Sequence, residues 1–121
     1  MPSKDALYDL LRSLPGVTED VKWGNDLVFS VGDKMFAVFM LPDGEPLSFK
    51  VDEAAFASLT QQPGITPAPY LARHSWVKLE SRRTLPAAAL EEMLRESHRL
   101  VAAKLPKKTR AALGLTEPPP A

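Results

Sequence analysis

The hydrophobic residues of the chain are densest between positions 27 and 51, and their pattern predicts three consecutive β-strands. Leu27–Val31 is rich in β-branched and aromatic residues, which are typical of strands, and Met35–Leu41 is apolar at almost every position. Leu47–Val51 alternates apolar with polar residues, the period of a strand that has one face in water. We therefore predict a three-stranded antiparallel meander around which the rest of the chain is arranged.

Turn signals separate the three strands. Gly32-Asp33 places a glycine first in a tight hairpin that needs a positive φ, and Pro42–Glu45 combines a proline that presets φ with a flexible glycine. The middle strand is so apolar that we expect both of its faces to be covered, the second face by this chain or by a partner.

Three helices flank this meander, each with apolar residues spaced three and four positions apart. The first two begin behind capping residues, Ser3 and Asp52, and span residues 4–14 and 53–61. The third begins at a proline, a normal first-turn position, and runs over residues 86–103.

The remaining segments are connectors, one more strand, one more helical turn and a tail. Residues 17–26 predict a polar connector, and the proline-rich residues 63–75 predict an extended loop. Residues 75–80 alternate and predict another strand, while residues 107–113 predict one more helical turn. Thr116–Ala121 contains three consecutive prolines and predicts a disordered tail.

Residues 1–115 therefore form one domain with the order helix, three strands, helix, one or two strands, helix. Because the strands follow one another instead of alternating with helices, this order predicts an α+β fold with an antiparallel sheet. The helices cover one face of that sheet, which gives a two-layer sandwich.

Composition narrows the class of protein further. The chain has no cysteine, which excludes a disulfide framework and a thiolate metal site. No apolar run approaches membrane-spanning length, and the first residues lack the apolar core and cleavage site of a secretory peptide. We therefore expect a soluble, cytoplasmic protein with no membrane partner.

No arrangement of residues predicts catalysis or a cofactor. The two histidines, His74 and His98, have no metal-binding spacing, and neither a GxSxG motif nor a convincing Ser-His-Asp set is present. His98 lies beside the apolar stripe of the last helix and is expected to be a surface or edge residue. We predict no enzyme activity, no metal site and no cofactor.

Charge is distributed unevenly although the net charge is zero. Residues 1–63 carry 5 Lys/Arg against 10 Asp/Glu, a net −5, and residues 64–121 carry 10 against 5, a net +5. This asymmetry favours an anionic partner for the second half, unless the two halves interleave in space.

Basic residues of the second half are candidate nucleic-acid contacts, because lysine and arginine neutralise phosphates. These candidates are Arg73, Lys78, Arg82, Arg83, Lys104, Lys107, Lys108 and Arg110. Tyr70 and Trp76 lie among them and are candidates for stacking on bases, and Trp23 with Trp76 could line a small-molecule groove. The alternatives are a packing role for the tryptophans and a solvated helix end for Lys107 and Lys108, where cations suit the helix dipole.

Short motifs along the chain resemble those of the MmcQ/YjbR family. In the first half they are Leu14-Pro15-Gly16, Trp23-Gly24, Val28-Phe29 and Gly32–Ala37; in the second half they are Pro63-Gly64, Pro67–Tyr70, Trp76-Val77 and Leu105–Lys108. The resemblance covers residues 7–113, in the right order. It implies a two-layer α+β sandwich, similar to secretion chaperones and to the CyaY-like fold, and a DNA-binding function.

Two hypotheses follow for the function. The first is a DNA-binding protein of the MmcQ/YjbR type that makes weak, largely non-specific phosphate contacts through a C-terminal basic patch. The alternative is a non-enzymatic interaction module whose apolar sheet face or edge binds a protein partner or a second copy of the chain.

Overall fold

The structure is a computed structural model that describes residues 3–115, and these residues fold into one antiparallel sheet with helices. The helices are α1 (Lys4–Arg12), α2 (Glu53–Leu59), α3 (Ala87–Ala103) and α4 (Lys107–Ala112). The strands are β1 (Val17–Lys22), β2 (Asp26–Val31), β3 (Lys34–Met40), β4 (Leu47–Lys50), β5 (Ile65–Pro67) and β6 (Trp76–Leu79), in the sheet order β1-β2-β3-β4-β6-β5. The predicted α+β class is confirmed. The tail predicted at residues 116–121 lies outside the described residues.

The predicted meander corresponds to β2, β3 and β4 and is confirmed. β2 and β3 are joined by a two-residue hairpin in which Gly32 and Asp33 have φ values of 57° and 64°, and Val31 pairs with Lys34. Two positive φ values in a row give the turn whose twist matches that of the flanking strands. The glycine signal in the sequence therefore identified this turn correctly.

A β-bulge in the meander decides which side chains reach each face of the sheet. Phe29 pairs with Ala37 and Ser30 pairs with Met35, so Phe36 is the extra residue of β3. The Phe36 ring is fully buried in the core under the helices, whereas Met35 lines a groove on the opposite face. Because of the bulge, the successive residues Phe36 and Ala37 both face the core, which the regular alternation of a strand would not allow.

The predicted connector at residues 17–26 is wrong, because residues 17–22 form β1, which pairs with β2 along its whole length. The side chains of β1 are almost all exposed, so the strand lacks the apolar alternation that marks a half-buried strand. The proline-rich segment contains the edge strand β5 and a 3₁₀ turn, Ala72–His74. Pro67 is tolerated in β5 because an edge strand has one side without ladder hydrogen bonds.

The core lies between the sheet and the helices α1 and α3. Leu7 and Leu11 of α1 and Leu90 and Leu94 of α3 have no exposed surface, and four phenylalanine rings of the sheet are equally buried. α3 packs across β2, β3 and β4, while the short α2 packs on β5 and β6. The predicted two-layer arrangement is therefore confirmed. Within residues 3–115, no helix combines the length and the apolar character needed to cross a membrane.

Side-chain caps begin the first two helices as predicted. Ser3 Oγ accepts a hydrogen bond from the backbone N–H of Ala6 at 3.0 Å, and Asp52 Oδ1 accepts one from Ala55 at 2.7 Å. Each cap satisfies one of the backbone N–H groups that a helix start leaves without a partner.

His98 is not the surface or edge residue that the sequence predicts. It is 8% exposed, and its Nε2 lies 2.8 Å from the carbonyl oxygen of Pro15. Its ring meets Phe36 edge-on, with 5.4 Å between the ring centroids. Because a carbonyl only accepts, Nε2 carries the proton of this hydrogen bond, and His98 ties α3 to the turn before β1.

Candidate functional site

The helix-free face of the sheet is partly covered by the proline-rich loop of residues 68–75. Backbone hydrogen bonds hold this loop: Ala68 donates to Trp76 at 3.0 Å, and Leu71 donates to Ala68 at 3.1 Å. Ala68 itself is buried, so the loop is anchored at its start. Beside the loop runs a groove that has two adjoining parts, which we call the aromatic half and the basic half.

The aromatic half has a volume of about 520 Å³. Trp23 and Tyr70 lie at its rim with 70% and 98% of their surface exposed, and Val38 contributes from β3. Its full lining is Trp23, Asp26, Met35, Val38, Ser48, Ala68, Pro69, Tyr70 and Leu71. This half is therefore largely apolar, with Asp26 and Ser48 as the polar groups that the strands supply.

Both rim aromatics have left-handed backbone conformations. φ is 52° at Trp23 and 66° at Tyr70, a region that bulky residues rarely adopt. Tyr70 follows Pro69 in the four-residue turn that the Leu71-to-Ala68 hydrogen bond closes, at the position where glycine is usual. Such strain is concentrated at binding sites, so both aromatic residues are candidates for ligand contact.

The basic half adjoins the aromatic half and has a volume of about 450 Å³. Its titratable side chains are those of Lys34, Lys50, His74 and Lys104. Met35 and Leu71 line both halves, so the two halves adjoin at these residues. None of the described residues that line the basic half carries a carboxylate, and its three lysines therefore make a positively charged surface.

Lys50 is the most enclosed lysine of the basic half. Its Nζ donates a hydrogen bond to the carbonyl oxygen of His74 at 2.6 Å, and its own carbonyl oxygen accepts one from Ser97 Oγ. Burial lowers the pKa of Lys50, and the positive charge of Lys104 lowers this pKa further. Because a nearby anion favours the charged form of a lysine, this half is suited to a negatively charged group.

Three of the predicted basic residues lie at the groove or on the same side of the sheet. Lys104 lines the basic half. Lys78 points to the helix-free face, in a smaller hollow that it shares with Asp26 and Ser48. Arg73 is exposed in the 3₁₀ turn of the loop. The structure therefore brings part of the predicted basic set near Tyr70.

Arg82 and Arg83 lie in the segment between β6 and α3. Arg82 Nη1 lies 3.0 Å from Glu45 Oε1 and donates to the carbonyl oxygen of Asp43 at 2.7 Å. Arg82 therefore joins this segment to the turn between β3 and β4, and its charge is already paired. Arg83 beside it is exposed.

The last three predicted cations lie on α4 and not at the groove. Arg110 Nη1 donates to the carbonyl oxygen of Ala103 at 3.0 Å, which holds α4 against the end of α3. Lys107 and Lys108 are exposed, and Lys108 lines a separate hollow that also contains Asp33. α4 therefore carries a second basic surface.

Trp76 does not offer an open face for stacking. It is 4% exposed, pairs with Lys50 across the β4–β6 ladder and forms part of the wall of the basic half. The prediction that it stacks on bases is therefore wrong, and its burial agrees with the packing alternative. Trp23, in contrast, is open to a ligand.

Lys34 and Lys50 are the groove lysines that were not candidates in the sequence. Both belong to the half of the chain with net negative charge, whereas the charge distribution along the sequence indicated a basic surface in the other half. The polar alternation of β4 placed Lys50 on a wet face, which was the one available signal. The pairing of β4 with β6, which brings that face to the groove, is non-local and has no such signal.

Comparison with known proteins identifies the family of the chain. A family model described as YjbR matches residues 12–100. The chain belongs to the YjbR family. The crystal structure of the Deinococcus radiodurans protein DR2400, with a family-model domain DUF419, is similar to this YjbR-family chain at 34% sequence identity and a TM-score of 0.85. That similarity covers 97% of this chain and 91% of DR2400.

A second solved structure shows the same fold at lower similarity. It is the crystal structure of a protein from Pseudomonas syringae, with a TM-score of 0.66 over 82% of this YjbR-family chain and 98% of the other. At 21% identity, this likeness concerns the fold alone. No curated protein matches the chain. The family is therefore established, and the case for a function depends on the groove.

Proposed function

We propose that this YjbR-family protein is a non-enzymatic nucleic-acid-binding protein whose main contact surface is the groove that extends from the helix-free face of the sheet to the end of α3. The observation that carries the proposal is the basic half, where Lys34, Lys50 and Lys104 converge with no carboxylate among the described lining residues. Lysines neutralise phosphates and release counterions, which gives weak affinity that is largely independent of sequence. Binding is then strongest at low salt.

The exposed lysines of α4 are a secondary surface in this proposal. Lys107 and Lys108 add positive charge near the end of the described chain, as the C-terminal patch predicted from the sequence requires. Lys108, however, shares its hollow with the carboxylate of Asp33, which reduces the attraction for a phosphate there. We therefore expect α4 to contribute less than the groove.

Two matched double variants test the assignment to the groove. Lys34→Glu with Lys104→Glu reverses two exposed lysines of the basic half, and Lys107→Glu with Lys108→Glu reverses two exposed lysines of α4. Fluorescence anisotropy with a labelled oligonucleotide, single-stranded and duplex, measures affinity over a range of salt concentrations. Each lost phosphate contact should reduce the slope of log affinity against log salt by about 1, so the groove pair should reduce it by about 2.

Three results would count against this proposal. A larger loss from the α4 pair than from the groove pair would move the contact surface to α4. An affinity that does not change with salt would exclude phosphate contacts as its source. A parent protein that binds neither form of the oligonucleotide at low salt would reject nucleic-acid binding altogether.

The second candidate function is a protein-interaction module that uses the edge of the sheet. β1 is an edge strand with almost all of its side chains exposed, and such strands can accept a further strand from a partner or from a second copy. Glu19, Asp20 and Lys22 place charges along β1, a common protection against edge pairing, so this function ranks second. Sedimentation at micromolar concentration tests the homodimer, and a monomer at every concentration would remove it.

A further inference from the structure

We propose that the groove takes one unpaired nucleotide unit, with its base in the aromatic half and its phosphate in the basic half. This inference rests on the proposed function and specifies which part of a nucleic acid the groove recognises. The unit is either a free nucleotide or one member of a single strand, because both present the same base and phosphate.

The adjacency of the two halves is the first support for this assignment. Met35 and Leu71 line both halves, so a single ligand can contact the aromatic rim and the lysines at the same time. Each half has a volume within the range of about 300–1,000 Å³ that is usual for small-molecule sites. A ligand that occupies both needs a planar apolar part joined to an anionic part, and a nucleotide combines the two.

The aromatic half has the chemistry of a base site. Trp23 and Tyr70 expose most of their ring surface, and base–aromatic stacking tolerates any base because every base has a π-face. Asp26 and Ser48 can form hydrogen bonds with the edge of a stacked base. The carboxylate of Asp26 repels a phosphate, so the phosphate is directed to the other half.

The basic half completes the site for the phosphate. Lysine binds phosphate as a compact point charge, and Lys34, Lys50 and Lys104 surround this part of the groove. The Nζ of Lys50 is held by the hydrogen bond that it donates to the carbonyl oxygen of His74, while Ser97 Oγ donates to the Lys50 carbonyl and holds the backbone there. The charge is therefore positioned before a ligand arrives.

A duplex cannot use the aromatic half in this way. Paired bases are stacked on one another and show only their edges in the grooves of the helix, so no base face is free for Trp23 or Tyr70. A duplex can still contact the lysines through its phosphates. The aromatic residues should therefore contribute to single-strand affinity and not to duplex affinity.

The test measures anisotropy with one labelled single strand and with the duplex of the same sequence, for the parent, Trp23→Ala and Tyr70→Ala. Each variant should bind the single strand about tenfold more weakly and the duplex within about twofold of the parent. Tyr70→Phe keeps the ring and should restore single-strand binding. Val21→Ala, another exposed apolar residue that does not line either half, is the matched control and should change neither affinity.

A second measurement does not depend on the stability of the alanine variants. Trp23 is highly exposed and Trp76 is buried, so adenosine monophosphate that stacks in the aromatic half should quench the fluorescence of Trp23. The quenching should disappear in Trp23→Phe. Displacement of the labelled strand by adenosine monophosphate would identify the free nucleotide as a ligand. Quenching by the strand but not by adenosine monophosphate would identify the single strand as the ligand. Both results support the proposal.

The failure of this inference can be told apart from the failure of the proposed function. Equal losses on single strand and duplex, or no loss on the single strand, would overturn the inference. If the Lys34→Glu, Lys104→Glu pair still weakens both forms in that case, nucleic-acid binding stands without a base site. If the parent binds neither form and no nucleotide quenches its fluorescence, both the base site and the proposed function are rejected.

Discussion

Tyr70, at the rim of the groove, has a backbone conformation that a glycine would adopt without strain. Its φ of 66° crowds the Cβ atom against the backbone, which costs a residue with a side chain roughly 1–2 kcal/mol. The ring itself contributes little to folding, because 98% of the residue is exposed. Tyr70→Gly should therefore raise the free energy of unfolding by about 1 kcal/mol, measured by urea denaturation.

Tyr70→Ala is the control for this prediction, because it removes the ring and keeps Cβ. We expect its free energy of unfolding to equal that of the parent, whereas the glycine variant should be more stable than both. Single-strand affinity should fall equally in the two variants, since both lack the ring. A glycine variant no more stable than the alanine variant would show that the turn is not strained at this residue.

The elements could be predicted where their signals are local. The β2–β3 hairpin follows from Gly32-Asp33, because the residue that permits positive φ is in the turn itself. β1 could not be predicted in the same way, because its side chains are exposed and leave no apolar period. The burial of His98 could not be predicted either, because its hydrogen-bond partner is the carbonyl of Pro15, which is distant in sequence.

The hairpin between β2 and β3 also packs tightly against the segment that joins α3 to α4. A Cβ atom on Gly32 would lie 2.7 Å from Leu105 Cδ1, and the φ of Gly32 is positive. Gly32→Ala therefore combines backbone strain with overpacking against a buried leucine. We expect it to lower the free energy of unfolding by about 2–4 kcal/mol, measured by urea denaturation.

Gly24→Ala separates the two causes. Gly24 also has a positive φ, 87°, but beyond its two chain neighbours no atom of residues 3–115 lies within 4 Å of an added Cβ. Gly24→Ala should therefore lower the free energy of unfolding by the cost of backbone strain alone, about 1–2 kcal/mol. Equal losses in the two variants would mean that the Leu105 side chain moves aside and that the packing of the hairpin turn on this leucine is not restrictive.

Across the whole molecule, the division of charge along the chain does not match its division in space. Lys34 and Lys50 come from the net-negative half and Lys104 from the net-positive half, yet all three line the basic half of the groove. The β4–β6 pairing and the end of α3 bring them together, and these contacts are non-local. The sequence therefore indicated Lys104 and Tyr70 as candidate contacts but not Lys34 and Lys50, which line the same groove.

The enclosure of Lys50 makes the stability of the whole molecule depend on pH. Burial, helped by the charge of Lys104, lowers the pKa of Lys50 in the folded state below its ordinary value of 10.5. Between these two pKa values the unfolded chain binds more protons than the folded one, so the contribution of Lys50 to stability rises with pH. Conversely, this contribution is lost as the pH falls from above 10.5 through the folded-state pKa. Lys50→Met should remove this part of the pH dependence.

Urea denaturation of the parent and of Lys50→Met at several alkaline pH values measures the effect. The difference between their free energies of unfolding should shift in favour of the parent as the pH rises towards 10.5. Lys104→Met should reduce this shift without abolishing it, because burial is the larger cause. A bound single strand should also reduce it, since a phosphate beside Lys50 favours its charged form. A difference that does not vary with pH would contradict the enclosure of Lys50, and with it the preorganised charge that the phosphate site requires.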